Sequence, residues 1–401
     1  MNPNSTSPAR WDPPDPKQLP ELRSALLDHY SSAMAMVWMR TALRAGRCAI
    51  IPEVPGLNAA PDEVAAQILV GSERLRLAEA QLFYATADMT ALALAAAASP
   101  PREKVSLDRP PAESGLIVFE EPIGGYVEDI GATLAVTSGA GPGEEAKVTK
   151  PIVAVSWSQW TPDAIEVDQG TVRWSWKRPG HGVTTIPRVY RGLWLTFYTP
   201  SGSFSRLAPD TVVGTTPEGT PLTAGQVTRL TGQVSAPALS WDNEVLLAEG
   251  VPFAEARPDT TDAWTHVLYT AWQLMAEGGR TRWTETEEIP RPRAGAKRDA
   301  RQGVTAPATV HVVNVHTTRR PPRQRAAEDA AASTGRREPQ WSCRWPVSPH
   351  RRDHCMNPAR HAEGDCRHED RLIPGYVKGP EDKPLRISDT VHLWDRQPDQ
   401  Q

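Results

Sequence analysis

The chain has 401 residues, 39 of them proline, with 39% hydrophobic and 23% charged residues; that length accommodates about two or three domains, and so much proline shortens helices and lengthens connections. No stretch approaches the roughly 20 apolar residues needed to span a bilayer, and the proline-rich start carries no secretory apolar block, so the expected location is cytoplasmic, with no membrane partner and no disulfides. The net charge of −4 conceals an asymmetry: Arg291–Arg352 holds fourteen Lys/Arg against four Asp/Glu, a hint of polyanion contact.

Residues 1–18 are polar and read as a disordered tail. A helix is predicted from about Pro20 to Ala45, with Leu22, Leu26, Ala33 and Val37 on one face and Gly46 as its stop. A second is predicted from Pro61, where proline suits the first turn and Asp62 and Glu63 complement the helix dipole. Its apolar positions Val64, Ile68, Leu75, Leu82 and Met89 carry it to about Ala98, giving a helical hairpin over residues 19–105. From Gly115 the period changes to two: Leu116–Phe119, Val153–Trp157, Val172–Trp176 and Leu193–Phe197 read as half-buried antiparallel strands. A third helix runs from about Asp259 to Gly278, with Trp264, Val267, Leu268, Ala271, Trp272 and Met275 as an apolar stripe; residues 110–285 thus form a β-rich core with one packed helix. Residues 286–306 read as a basic linker. Residues 307–396 read as a small antiparallel module with strands at Thr309–His316, Trp341–Val347, Tyr376–Lys378 and Thr390–Trp394. The predicted fold class is α+β.

Two clusters in that module carry chemistry. Cys343, Cys355, Cys366 and His368, with His350 and His354 as substitutes, are ligand types that zinc prefers, and four in tetrahedral array would close a structural site. Their spacing fits no standard finger, and a loop merely rich in such residues is the competing reading. The second cluster is Arg319, Arg320, Arg323, Arg325, Arg336, Arg337, Arg344, Arg351 and Arg352 beside Trp341 and Trp345. Guanidinium forks match phosphate oxygens and aromatic faces stack on bases; a solvated loop is the alternative. Elsewhere, Gly139–Gly143 lacks the Lys-Ser or Lys-Thr of a phosphate loop, His181 sits in a turn, and no nucleophile elbow or paired metal-protease histidines occur. Trp157, Trp160, Trp174, Trp176 and Trp194 stand at strand spacing and read as core before groove.

The C-terminal portion resembles a functionally uncharacterised protein family of actinobacteria and their phages. The residues that carry the resemblance are Val310–Val315, the arginine-rich insertion, Trp341 through Arg344-Trp345, His350-Arg351, Ile373-Pro374, Tyr376-Val377-Lys378-Gly379-Pro380 and Asp382–Leu385, and the Trp264–Met275 helix is similar to the one preceding that module in the family; the segment Asp353–Asp370, with Cys355 and Cys366, departs from it. The resemblance implies a context and no activity. Three functions follow from the residues: a non-enzymatic DNA- or RNA-associated protein, a protein–protein interaction or regulatory factor, and an enzyme on nucleic acid using His350, His354 or His361 with Asp353 or Asp365. The sequence leaves the oligomeric state open.

Overall fold

The computed structural model describes residues 11–131, most of 134–315, and short pieces between 344 and 383. The chain divides into two compact units, Met1–Val315 and His316–Gln401, and the fold class is α+β.

Helix α1 (Leu19–Tyr30) and helix α2 (Ala33–Arg44) replace the single helix expected over 20–45. The break falls at Ser31-Ser32, whose hydroxyls donate to the Leu27 and His29 carbonyls at 2.7 and 2.6 Å, offering the backbone local partners in place of the helix ladder. Ser32 is extended and caps α2 by accepting the Ala35 amide. The interruption resets the helix phase: α2 buries Ala35, Met39 and Ala42, while Val37, expected on the inner face, is 56% exposed. Gly46, at a φ of +67°, follows the helix end.

After β1 (Ile50–Glu53), helix α3 (Pro61–Glu79) opens on proline with Asp62 and Glu63 in its first turn, as predicted. It does not continue to Ala98. The chain runs instead as strand β2 (Gln81–Ala85) and resumes as α4 (Ala87–Ala96). Leu82 and Tyr84 belong to one hydrophobic cluster, Phe83 and Ala85 to another. A segment that serves two cores with alternate residues is a strand, whatever helical period its apolar residues mimic.

The remaining strands of the first unit are β3 (Ser114–Phe119), β4 (Gly125–Asp129), β5 (Lys147–Pro151), β6 (Ala154–Trp160), β7 (Arg173–Arg178), β8 (Gly182–Thr185), β9 (Gly192–Pro200), β10 (Val212–Thr215), β11 (Pro221–Thr223), β12 (Leu239–Ala248), β13 (Thr284–Pro290) and β14 (Thr309–Val315). Helix α5 (Ala224–Gly232) follows β11, α6 (Thr261–Ala276) follows β12, and α7 (Arg293–Arg301) follows β13. The central sheet has seven strands in the order β12-β9-β6-β3-β2-β14-β13. Its pairings are antiparallel except at the centre, where β3–β2 and β2–β14 are parallel. An all-antiparallel centre was expected; intrusion of β2, taken for helix, makes the sheet mixed.

Both faces of this sheet are covered. One cluster joins Leu116, Val118, Trp194, Tyr198 and Val310 to α1, α2, α3 and the β1-β7-β8 sheet. The other joins Ile117, Phe119, Val155, Trp157, Leu195 and Val313 to α4 and to Trp264, Leu268 and Trp272 of α6. The predicted third helix and its stripe are therefore in place, and Trp157, Trp160, Trp174 and Trp194 are buried core residues.

The expected linker is structured. Strand β13 pairs with β14 along seven rungs and α7 follows it, so β14 also belongs to the large sheet and not to a separate module. Arg291 is buried, ion-paired with Asp299 at 2.8 Å. Asp299 also faces the buried Arg23 of α1 at 3.7 Å, which fastens this segment to the first helix.

In the second unit, β15 (Trp345–Val347) pairs antiparallel with β18 (Tyr376–Lys378), and β16 (His350–Cys355) with β17 (His368–Ile373). The span expected to be loop thus contains a six-rung ladder. The Arg344 Nε donates to the Lys383 carbonyl at 2.8 Å. Thr390–Trp394 lies outside the described residues.

Candidate functional site

In the first unit, a cleft of about 400 Å³ is lined by Arg47, Tyr126, Asp242, Asn243, Trp264 and the segment Asp259–Thr261. It forms where β4, the β12 bulge at Trp241–Asn243 and the start of α6 meet. Asp242 is 4% exposed and accepts the Tyr126 hydroxyl at 2.6 Å. The Arg47 guanidinium approaches its carboxylate at 3.7 Å, and Lys150 pairs with Glu128 nearby. Burial raises the Asp242 carboxyl. Burial, then the charge of Asp242, raises the Tyr126 phenol, so Tyr126 acts as a donor and not as a base. Asp259 holds a φ of 56°, the left-handed region that non-glycine residues rarely occupy, and its Oδ1 accepts the Gly125 amide at 3.3 Å. With Asp242 and Asp259 set against Arg47, the lining is no surface for a polyanion.

A second buried polar group lies within the helix-covered core. Glu73 of α3, 1% exposed, accepts Thr196 Oγ1 at 2.9 Å and Ser156 Oγ at 3.0 Å, together with the Tyr198 hydroxyl and the Arg76 guanidinium. Arg76 lies over the Trp194 ring at 4.1 Å. Every partner is internal, and the cluster is structural in character.

The predicted nucleic-acid and metal residues fall in the second unit. Arg319, Arg320, Arg323, Arg325, Arg336, Arg337, Trp341, Cys343, His361, Asp365 and Cys366 lie outside the described residues. Trp345 stands opposite Lys378 on β15. On the β16–β17 ladder Arg352 stands opposite Arg371, His354 opposite Glu369 and His350 opposite Ile373. Antiparallel partners share a face and strand residues alternate between faces. His350, Arg352, His354, Glu369, Arg371 and Ile373 therefore share one face, and Arg351, Asp353, Cys355, His368, Asp370 and Leu372 the other. Two of the four predicted metal residues, Cys355 and His368, occupy one rung. Among the described side chains, no group of three or more His, Cys, Asp or Glu gathers to hold a metal.

No protein-family model and no curated protein matches the chain. Among solved structures it is similar to one titled "Crystal structure of AcrVA2", at 9% identity and a TM-score of 0.27, over 90% of this chain and 99% of that one. A likeness at that score carries no argument about fold or function.

Among the described residues no helix is long and apolar enough to cross a membrane. The cleft residues were missed in the sequence reading, although one signal was present. Asp242 and Glu244 are both buried on a strand that also carries Leu239, Leu246 and Leu247, a setting in which solvation alone cannot account for acidic side chains.

Proposed function

We propose that this protein associates with nucleic acid, DNA or RNA, through its C-terminal unit, without catalysing a reaction on it. The observation that carries the reading is the opposition of Arg352 and Arg371 on neighbouring strands. Like charges directly across a ladder are unfavourable, and an anion between them turns the repulsion into two charge-assisted contacts. His350 and His354 flank this rung pair on the same face, with Glu369 opposite His354, and the surrounding sequence is rich in arginine. Phosphate backbones supply the matching ligand, through contacts that do not depend on base sequence.

Fluorescence anisotropy with labelled single-stranded and duplex DNA and RNA tests the proposal. Affinity is expected to fall steeply between low and high salt, and a paired Arg352→Ala, Arg371→Ala variant should reduce the slope of log affinity against log salt by about two. A chain whose binding is indifferent to salt, or whose slope is unchanged in the paired variant, would remove this reading.

A further inference from the structure

The cleft of the first unit holds charges of both signs that the protein leaves incompletely paired. The nearest carboxylate oxygens to the Arg47 guanidinium, on Asp242 and Glu128, stand at 3.7 and 4.0 Å. Its hydrogen bond to the Asp242 carbonyl is long, at 3.5 Å. A guanidinium carries five donors in a planar fork, so most of its capacity is open. Asp259, exposed and also on the lining, accepts the Gly125 amide at 3.3 Å and meets no cation among the described residues.

Further donors gather at the same place. Helix α6 begins in the lining, at Thr261. The Ala263 and Trp264 amides return to Thr260, whereas those of Thr261 and Asp262 meet no partner among the described residues. Open amides at a helix start attract anions. Trp264 Nε1 is buried without a hydrogen-bond partner among the described residues. It lies near Asp259: Nε1 and Asp259 Oδ1 are both within 3.5 Å of the point where a β-carbon on Gly124 would stand. A buried donor left open marks a place for an acceptor that the chain does not supply. The Tyr126 ring stacks on Trp264, with centroids 6.2 Å apart, and adds an apolar wall.

The balance of charge narrows the ligand. Arg47 is set against Asp242 and Asp259, while Lys150 and Glu128 pair with each other, so neither a polyanion nor a bare cation meets a lining of opposite sign. An apolar molecule would displace water from Arg47 and Asp259 and leave both unpaired, which is costly. A zwitterion satisfies both. The volume of about 400 Å³ lies at the small end of ligand pockets. We infer that the cleft binds a free α-amino acid, with its carboxylate on Arg47 and the first amides of α6, its ammonium on Asp259, and its side chain against Tyr126. The site belongs to the first unit and is independent of nucleic-acid binding by the second.

Isothermal titration calorimetry of the full chain with each standard L-α-amino acid tests the inference. At least one should bind. Its N-acetyl form lacks the ammonium and its carboxamide form lacks the carboxylate, and each should bind at least about tenfold more weakly. Asp259→Asn keeps a residue type that tolerates the left-handed backbone. It should weaken the zwitterion by about tenfold and leave the N-acetyl form unaffected. Arg47→Gln should likewise weaken the zwitterion and leave the carboxamide form unaffected. A residue serving structure alone would weaken every form together. Thermal melts without ligand show whether each variant folds; if Arg47→Gln does not, Asp259→Asn and the blocked ligands on the wild type decide. Affinity for labelled DNA and RNA should be unchanged in both variants, so failure here is distinct from failure of the nucleic-acid reading. The inference is overturned if no amino acid binds the wild type, or if the blocked forms bind as tightly as the zwitterion. It is equally overturned if Asp259→Asn leaves zwitterion affinity unchanged or weakens the N-acetyl form just as much.

Discussion

Glu73 sits on α3 three residues before Arg76, a spacing that in a sequence looks like an exposed helical ion pair. In the folded chain both are buried, and Glu73 is satisfied by side chains from β6 and β9 that lie far away in sequence. Removing one partner of such a group strands the other charge. Glu73→Ala is therefore expected to cost about 3–5 kcal/mol, measured as a lower midpoint in urea-induced unfolding. Glu244, also buried, accepts the Ile50 amide at 3.1 Å, and burial pushes its carboxyl from 4.5 up to about 7. The native state then holds a proton that the unfolded chain has released between those pH values. Its contribution is complete below the lower value, declines as pH rises through the window and levels off above about 7. The loss is on the order of 3 kcal/mol. Thermal melts between pH 5 and 8 should show the wild-type midpoint falling and a flatter profile in Glu244→Gln; equal profiles would refute the assignment.

The elements of the large sheet explain which substitutions the fold tolerates. Gly115 of β3 faces Trp157 of β6 across the ladder, and a methyl group there would overlap the indole. Gly115→Ala should destabilise the chain by about 1–3 kcal/mol, readable in the same unfolding experiment. Strand β13 lies at one edge of the sheet, and its outer residues include Glu285, Glu287 and Glu288. Charges at an edge oppose pairing with another chain. Glu287→Val, Glu288→Val should leave the melting temperature nearly unchanged and raise light scattering at high protein concentration. Helix α7 depends on a different contact, since Asp299 meets both Arg23 and Arg291 in the interior. Asp299→Ala leaves two buried guanidinium groups without that partner and should lower stability by about 3–5 kcal/mol, with charge-retaining Asp299→Glu milder in the same melt.

At the scale of the whole molecule, the basic stretch counted along the sequence is divided between two units. Arg291, Arg293, Lys297, Arg298 and Arg301 belong to the first, where Arg291 is consumed by Asp299, and the arginines from Arg319 onward belong to the second. The charge count along the sequence spans both units, and the functional proposal rests on the register of β16 and β17 within the second.

Local pattern was enough for the α+β class, the amphipathic α6, the strands at β3, β6, β7, β9 and β14, and the core placement of Trp157, Trp174 and Trp194, because period and residue type act over a few neighbours. It was not enough for β2: Leu82 and Met89 have helical spacing, and only the presence of apolar layers on both sides of the sheet sends them to different cores. Nor could it reveal that Asp353 stands opposite Asp370 or Arg352 opposite Arg371. Such neighbours are fixed by hydrogen-bond register between strands, and a shift of one residue in that pairing would move every side chain on the slipped strand to the other face.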